Sequence, residues 1–318
     1  MKKLSLTLAL CLLLSLMGCG PAAGSGSSGS DPVSQSATAV TITDWTGHEE
    51  TFQSCPQRVV AVSGSLGEVW LKAGGQLIGT TQDAVTERNL DLGEDVAIVG
   101  SVKEPDMETI LALEPDFVIL SADIASHPDV AAIFQEIGIP CGLFHEEYFQ
   151  DYLALLEQFT SLTSRSDLYE ANGQQVQEEI QAILADSPNL EGKTVLLIRA
   201  FSSGFKAKNA ENLAGTMLKD FGLENILDRY DSILEDISME EIIRTDPDYI
   251  FVTVMGSDVE GAIAHLESQL CTDPAWASLT AVEKGNYHVL PKDLFHYKPN
   301  ARWAEAYDYL SRLFASEE

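Results

Sequence analysis

The amino-acid sequence predicts an α/β protein of two similar lobes, each built on a central parallel sheet, joined by one long helix with a cleft between the lobes. Three observations carry this. Residues 107–122, METILALEPDFVILSA, are echoed at 239–254, MEEIIRTDPDYIFVTV, with Met, Glu, Ile, Pro and Asp in register. An echo so far along the chain suits two domains rather than a stacked repeat. Strand-like apolar runs alternate with helix-period segments through both halves, the pattern of parallel sheets covered on both faces. Between the halves, residues 164–186 place Leu168, Ala171, Val176, Ile180, Ile183 and Leu184 at helical spacing. About 22 residues rising about 1.5 Å each make a strut of about 33 Å.

The chain begins MKKLSLTLALCLLLSLMGC. Lys2 and Lys3 form a positive n-region, and Leu4 to Met17 is apolar but too short for a comfortable permanent span. Leu16-Met17-Gly18-Cys19 resembles a bacterial lipobox, in which Cys19 is lipidated and becomes the new first residue. The Gly/Ser-rich stretch 20–38 reads as a slack tether. No later segment reaches about 18 unbroken apolar residues, so the mature chain is not expected to span a bilayer. The expected organisation is a signal peptide over 1–19, a tether over 20–38, a first lobe over 39–163, a linking helix over 164–187 and a second lobe over 188–318.

Within the first lobe, Arg58 to Ser63 predicts a strand that ends in the small turn Ser63-Gly64-Ser65. A helix follows from Leu66 to Ala73, stopped by Gly74-Gly75, and then a strand from Gln76 to Thr80. In each echoed segment a helix ends before a proline, Pro115 or Pro247, and an apolar strand follows. Val130 to Ile137 reads as a helix and Cys141 to Phe144 as a strand. In the second lobe the strands are Thr194 to Ala200 and Tyr287 to Leu290. Helices cover Leu213 to Phe221 and end over Leu279 to Glu283.

Composition narrows the function. With 49 acidic against 19 basic residues in 318, the net charge is −30. A surface this acidic repels phosphate backbones, so nucleic acid is not an expected partner. Cys11 lies in the removed segment and Cys19 carries lipid. Cys55, Cys141 and Cys271 then form an odd set without CxxC spacing, which argues against a zinc site or a disulfide framework. Buried free thiols are expected, with a Cys55–Cys141 pair left open. Charge divides unevenly, at −15 for residues 40–150, −7 for 151–191 and −9 for 192–318. Lys206, Lys208, Lys292, Lys298 and Arg302 fall where second-lobe loops are expected. Such a local basic face suits either an anionic ligand or plain solubility.

The segments CPQRVVAVSGSLGEVWLKAGG (55–75), EPDMETILALEPDFVILSA (104–122), IGIPCGLF (137–144), LAGTMLKDFGLENIL (213–227), SMEEIIRTDPDYIFV (238–252) and DPAWASLTAVEKGNYHVLP (273–291) resemble, in order and spacing, the periplasmic-binding-protein family for ferric siderophores, haem and vitamin B12. The resemblance covers roughly residues 40–315. It implies two α/β lobes on one long helix, with the ligand between them. It also implies delivery to an ABC permease and its ATPase, no catalysis, and no resident cofactor, the metal arriving within the small-molecule chelate. A monomer is expected, tethered through Cys19 to the outer face of the cytoplasmic membrane. In this family one exposed Glu on each lobe docks on the permease. Glu68 matches that position on the first lobe and Glu224 on the second, with Glu240 or Glu241 as replacements for the latter.

Ligands of open α/β sheets sit beyond the carboxyl ends of the strands. That rule selects Ser63, Ser65, Thr81, Ser101, Ser121 and His145 in the first lobe. In the second it selects Phe201, Ser202, Met255 and the stretch Lys292 to Lys298, and Lys206 and Arg302 join them as bases. His145 reads as a cleft contact, or as an axial ligand if the cargo is haem. His296 and Tyr297 can stack on a flat ligand and Lys298 can meet its charge. Met255 reads as a soft ligand or a gap-filler. The leading expectation is a ferric-siderophore carrier, with haem or a cobalamin as alternative cargo. A surface lipoprotein of adhesive or structural role is the alternative of another class. A hydrolase fits poorly, because Ser63 stands where a nucleophile elbow at Ser65 needs glycine.

Overall fold

The computed structural model describes residues 39–229 and 238–315. Cys19 and the 20–38 tether lie outside the described residues. The described chain opens with a hairpin that lies outside the strands expected from the sequence. Strand β1 (Val40–Thr43) pairs antiparallel with β2 (Glu49–Phe52). Asp44 ties the turn: its Oδ1 accepts from the backbone N–H groups of Thr46 at 2.8 Å and His48 at 3.0 Å, and its Oδ2 accepts from Leu143 N at 3.0 Å.

The first lobe is a five-stranded parallel sheet. Its strands are β3 (Val59–Ala61), β4 (Leu77–Thr80), β5 (Ala97–Ile98), β6 (Phe117–Ser121) and β7 (Cys141–Phe144), in the order β5-β4-β3-β6-β7. The second lobe uses β8 (Thr194–Phe201), β9 (Gly204–Lys208), β10 (Glu224–Asn225), β11 (Tyr249–Val254) and β12 (Tyr287–Val289). Here β10-β8-β11-β12 run parallel, but β9 folds back antiparallel on β8. Lys206 and Lys208 therefore lie on a strand rather than in a loop. Ser202-Ser203 is the two-residue connection of a tight hairpin, with Phe201 opposite Gly204.

The echoed segments build the same device twice. Asp106 caps the helix Met107–Ala112 by accepting from Thr109 N at 3.1 Å, and Ser238 caps Met239–Thr245 by accepting from Glu241 N at 3.2 Å. Glu114 and Asp246, each just before a proline, take positive φ of 46° and 41°. The proline disfavours a further right-handed helical residue before it, and the left-handed turn ends the helix. The next aspartate then clamps the start of the neighbouring strand. Asp116 accepts from Gln57 N and Arg58 N, both at 2.8 Å, and Asp248 accepts from Thr194 N at 2.9 Å. The Pro-Asp pair thus stops a helix and sets where β3 or β8 begins.

After β7, the helix Phe149–Thr163 ends at Ser164, whose φ is 56°. A helical run then crosses to the second lobe through Ser166–Tyr169, a π turn at Glu170–Gln174, and Gln175–Asp186. Gly173 lets the π turn approach the preceding helix, since a Cβ there would stand 3.1 Å from Leu153 Cδ2. Strand alternation divides the core into three. Val59, Phe117, Ile119, Leu197, Tyr249 and Phe251 face one shared cluster, which also holds Tyr152, Phe159, Ile180, Tyr307 and Phe314. The alternate residues Val60, Val118 and Leu120 face a cluster of the first lobe, and Leu196, Ile198, Ile250 and Val252 face one of the second. The two lobes therefore share a continuous apolar core along the helices that join them. The last helix, Trp303–Ala315, belongs to that shared core.

The three thiols of the described chain are free: Cys141 is buried, Cys55 half-buried and Cys271 exposed. The Cys55–Cys141 pair is thus not formed.

Candidate functional site

The carboxyl ends of the first-lobe strands open on a cleft closed from the far side by residues 296–298. Ser63, Ser65 and Leu66 follow β3, Asp83, Glu87 and Arg88 follow β4, Ser121, Asp123 and Ile124 end or follow β6, and Glu146 follows β7. The other wall is His296, Tyr297 and Lys298. The cleft encloses about 200 Å³, less than the roughly 300–1,000 Å³ of ordinary ligand sites. A whole chelate requires the lobes to part or to leave it half outside.

Local chemistry builds this wall. Ser63 is the N-cap residue of the helix Gly64–Lys72, and Gly64 N donates to Asp83 Oδ2 at 2.8 Å. Only glycine fits there, because a Cβ would stand 2.6 Å from Ala84 N. Ser65 Oγ donates to Glu146 Oε2 at 2.7 Å. Glu146 is 1% exposed, and its other oxygen has no hydrogen-bond partner. Burial pushes its carboxyl above the usual carboxylate range, against the opposing pull of Lys298, Ser65 and Arg88. His127 holds two wall residues in place. Its Nδ1 accepts from Ser121 N at 2.9 Å and its Nε2 donates to Val102 O at 2.7 Å.

Polar ties cross the cleft. Lys298 Nζ sits 2.7 Å from Asp123 Oδ2 and 3.8 Å from Glu147 Oε2. Burial works to raise the Asp123 carboxyl, but Lys298 and His145 outweigh it and hold it below the usual range. Arg88 bridges Glu68 and donates to Lys298 O at 2.6 Å. Asn300, wholly buried, donates to Ser65 O at 3.1 Å and to Glu68 Oε2 at 2.9 Å. His296 is half-buried with an unpartnered Nδ1, and burial, then Arg199 and Lys292, push it down to about 4.

Of the residues chosen from sequence, Ser63, Ser65, Ser121, His296, Tyr297 and Lys298 converge on the cleft. The others do not line it. Thr81 is wholly buried with an unpartnered hydroxyl. Ser101 is exposed and closes its own turn with Glu104. His145 is half-buried, with Nδ1 2.5 Å from Asp123, Nε2 3.6 Å from Asp151 and the Trp45 ring at 4.4 Å. Both of its nitrogens face carboxylates, which corrects its reading as a cleft contact or axial ligand. It orients Asp123 instead. Phe201 and Ser202 form the β8–β9 tip, Lys206 lies on β9, and Met255 is exposed after β11. Arg302 is held by Asp293 at 3.0 Å and Glu305 at 2.7 Å, in a groove beside the cleft.

Glu68 also needs correction as a docking acid. Its side chain is only 13% exposed and is committed to Arg88 and Asn300. Glu224 is exposed on β10. The acids of the echo occupy matching surface positions: Glu108 and Glu240 are both exposed, two residues after their helix caps.

The wall residues missed from sequence are mainly the charged ones: Asp83, Glu87, Arg88, Asp123 and Glu146. Asp83, Asp123 and Glu146 stand one or two residues past the strand-end residues Thr81, Ser121 and His145, whereas Glu87 and Arg88 follow the short helix Asp83–Thr86. The signal for Arg88 was its place as the lone base in the acidic stretch between β4 and β5.

The profile of the family described as periplasmic binding protein matches residues 59–294. The Fe(3+)-citrate-binding protein YfmC of Bacillus subtilis is 24% identical over 266 residues, 82% of this chain and 81% of the relative. Among solved structures, the petrobactin-binding protein YclQ of Bacillus subtilis superposes with a TM-score of 0.70 at 18% identity, covering 88% of this chain and 98% of that one. The iron-uptake ABC transporter substrate-binding protein PiuA of Streptococcus pneumoniae superposes at 0.69 with 21% identity, covering 89% and 98%. No helix among the described residues is long and apolar enough to cross a membrane.

Proposed function

Since the chain belongs to the periplasmic-binding-protein family, whose members bind solutes and are not enzymes, we propose that it captures a ferric siderophore between its lobes and delivers it to an ABC permease and its ATPase. The observation that carries this is the inter-lobe cleft at the strand ends, lined by serines, carboxylates and the His296-Tyr297-Lys298 stretch. The names of YfmC, an Fe(3+)-citrate-binding protein, and PiuA, an iron-uptake protein, support an iron chelate as cargo. The metal travels inside the ligand. Capture works by differential contact with the loaded and empty states, and the Lys298–Asp123 and Asn300–Ser65 ties hold the lobes together in both. The shared core along the linking helix limits the movement to a small change of angle.

Cys19 anchors the monomer by lipid to the outer face of the cytoplasmic membrane, and residues 20–38 give it reach. Glu108 and Glu240, exposed at equivalent places on the two lobes, serve as the docking pair in place of Glu68 and Glu224. Such acids steer and orient association more than they add affinity.

The test is a tryptophan-fluorescence titration of the full chain against ferric siderophores, their iron-free forms, haem and cobalamin. Trp45, at 64% exposure beside His145, reports on the Asp123 side of the cleft. Saturable quenching by an iron-loaded siderophore, absent with the iron-free form, is expected. Response to haem or cobalamin alone changes the cargo. Response to none contradicts the proposal.

A further inference from the structure

The charges of the cleft select among chelates, given the carrier reading above. Its wall carries four carboxylates, Asp83, Glu87, Asp123 and Glu146, against two cations, Arg88 and Lys298. Both cations are already spent inside the protein: Lys298 on Asp123 and Glu147, Arg88 on Glu68 and the Lys298 carbonyl. Nearby second-lobe bases are engaged as well. Lys292 donates to Gly256 O at 2.6 Å, and Arg199 and Lys206 have partners of their own. Three of the four carboxylates, Asp83, Glu87 and Glu146, form no ion pair among the described residues.

What remains to meet a ligand is therefore a set of acceptors. Glu146 Oε1 is buried without a partner on a residue that lines the cleft, and Asp83 Oδ1 is likewise unpartnered; a cation placed against Glu146 offsets the burial that otherwise favours its neutral form. A polyanionic chelate placed here meets like charge and leaves these oxygens unsatisfied. A ligand with a positively charged N–H group satisfies both conditions at once. We propose that the cleft takes a neutral or cationic ferric chelate that presents an ammonium or similar donor to Glu146 and Asp83, the chemistry of a ferric tris-hydroxamate with an amine arm. Citrate and catecholate complexes of iron, which are anionic, are then poor ligands.

The probes are ferrioxamine B, whose tris-hydroxamate iron core is neutral and whose free arm is an ammonium, its N-acetylated form without that charge, ferric dicitrate, and an anionic ferric tris-catecholate. Each is titrated into the full chain by calorimetry. The expected order places ferrioxamine B at least tenfold tighter than the acetylated form, and both above the anions. Glu146→Gln, with folding checked by thermal melting, should reduce the ammonium preference severalfold. Glu87→Gln, on the exposed rim, should reduce it less. Tightest binding by an anionic chelate overturns the charge inference and leaves the carrier reading standing. No binding by any chelate overturns the carrier reading, and this inference with it.

Discussion

The two lobes repeat their skeleton and differ at their strand ends. Asp116 and Asp248 clamp β3 and β8 alike, and Glu114 and Asp246 make the same left-handed turn before proline. Past the strands the likeness stops. The first lobe sends carboxylates towards the cleft, Asp83, Asp123 and Glu146, whereas the second sends His296, Tyr297 and Lys298. Residues shared by both lobes are those that build a helix-stop-strand unit. Residues that differ are those that line the cleft. The echo in the sequence therefore marks architecture, and its absence at the strand ends marks where the two walls of the cleft differ in chemistry.

The largest effect tests the shared skeleton. Phe117 and Tyr249 stand at the same point of the echo, at 0% and 2% exposure. Phe117→Ala and Tyr249→Ala should each cost about 3–5 kcal/mol in chemical denaturation, as expected for truncating a buried aromatic. A large loss for one and none for the other breaks the equivalence.

The next effect separates the lobes by pH. His296, on the second-lobe wall, is pushed down to about 4, whereas a histidine in the unfolded chain titrates near 6.5. Between those values the unfolded chain holds the proton and the folded chain does not, so stability rises with pH. The contribution is complete above about pH 6.5 and is lost as pH falls towards about 4, amounting to about 3 kcal/mol. Subtracting the profile of His296→Phe from that of the wild type should isolate this slope. A flat difference contradicts the burial of a neutral imidazole beside Arg199 and Lys292.

A smaller effect tests the strand clamps. Asp116→Ala removes two backbone N–H bonds to a carboxylate, and Asp248→Ala removes one together with bonds from Thr194 Oγ1 and Lys193 Nζ. Each should cost about 2 kcal/mol by thermal unfolding, and the two losses should agree to within about 1 kcal/mol if the device is the same. The smallest effect on stability belongs to the exposed acids. Glu108→Lys and Glu240→Lys should change it by less than about 0.5 kcal/mol and leave ligand affinity unaltered, while iron uptake in cells falls. Unchanged uptake removes the docking role.

The skeleton was legible because its signals are local. Proline before an apolar run, a helix-period segment ahead of it, and a repeat of both are readable without knowing the fold. The hairpins β1–β2 and β8–β9 were not read. Gly204–Lys208 carries lysines and small residues, and its pairing with β8 is a tertiary fact. The cleft was half legible for a related reason. Strand ends located Ser63, Ser65 and Ser121, but the rule does not say how each loop returns. Asp123 and Glu146 stand one or two residues beyond those chosen. Glu68 was misread because what covers it, Arg88 and Asn300, comes from distant parts of the chain.

The central assignment is the inter-lobe cleft as the ligand site, and a blocking substitution tests it most directly. Ser65 is a small residue on the cleft wall, so Ser65→Trp fills space the ligand must enter. With ferrioxamine B and the other ferric chelates titrated into wild type and variant, the cleft assignment predicts that the tightest ligand loses at least tenfold in affinity in a variant that still melts cooperatively, at a temperature lowered by the loss of the Ser65–Glu146 bond. Wild-type affinity in a folded Ser65→Trp variant would place the ligand elsewhere and contradict it.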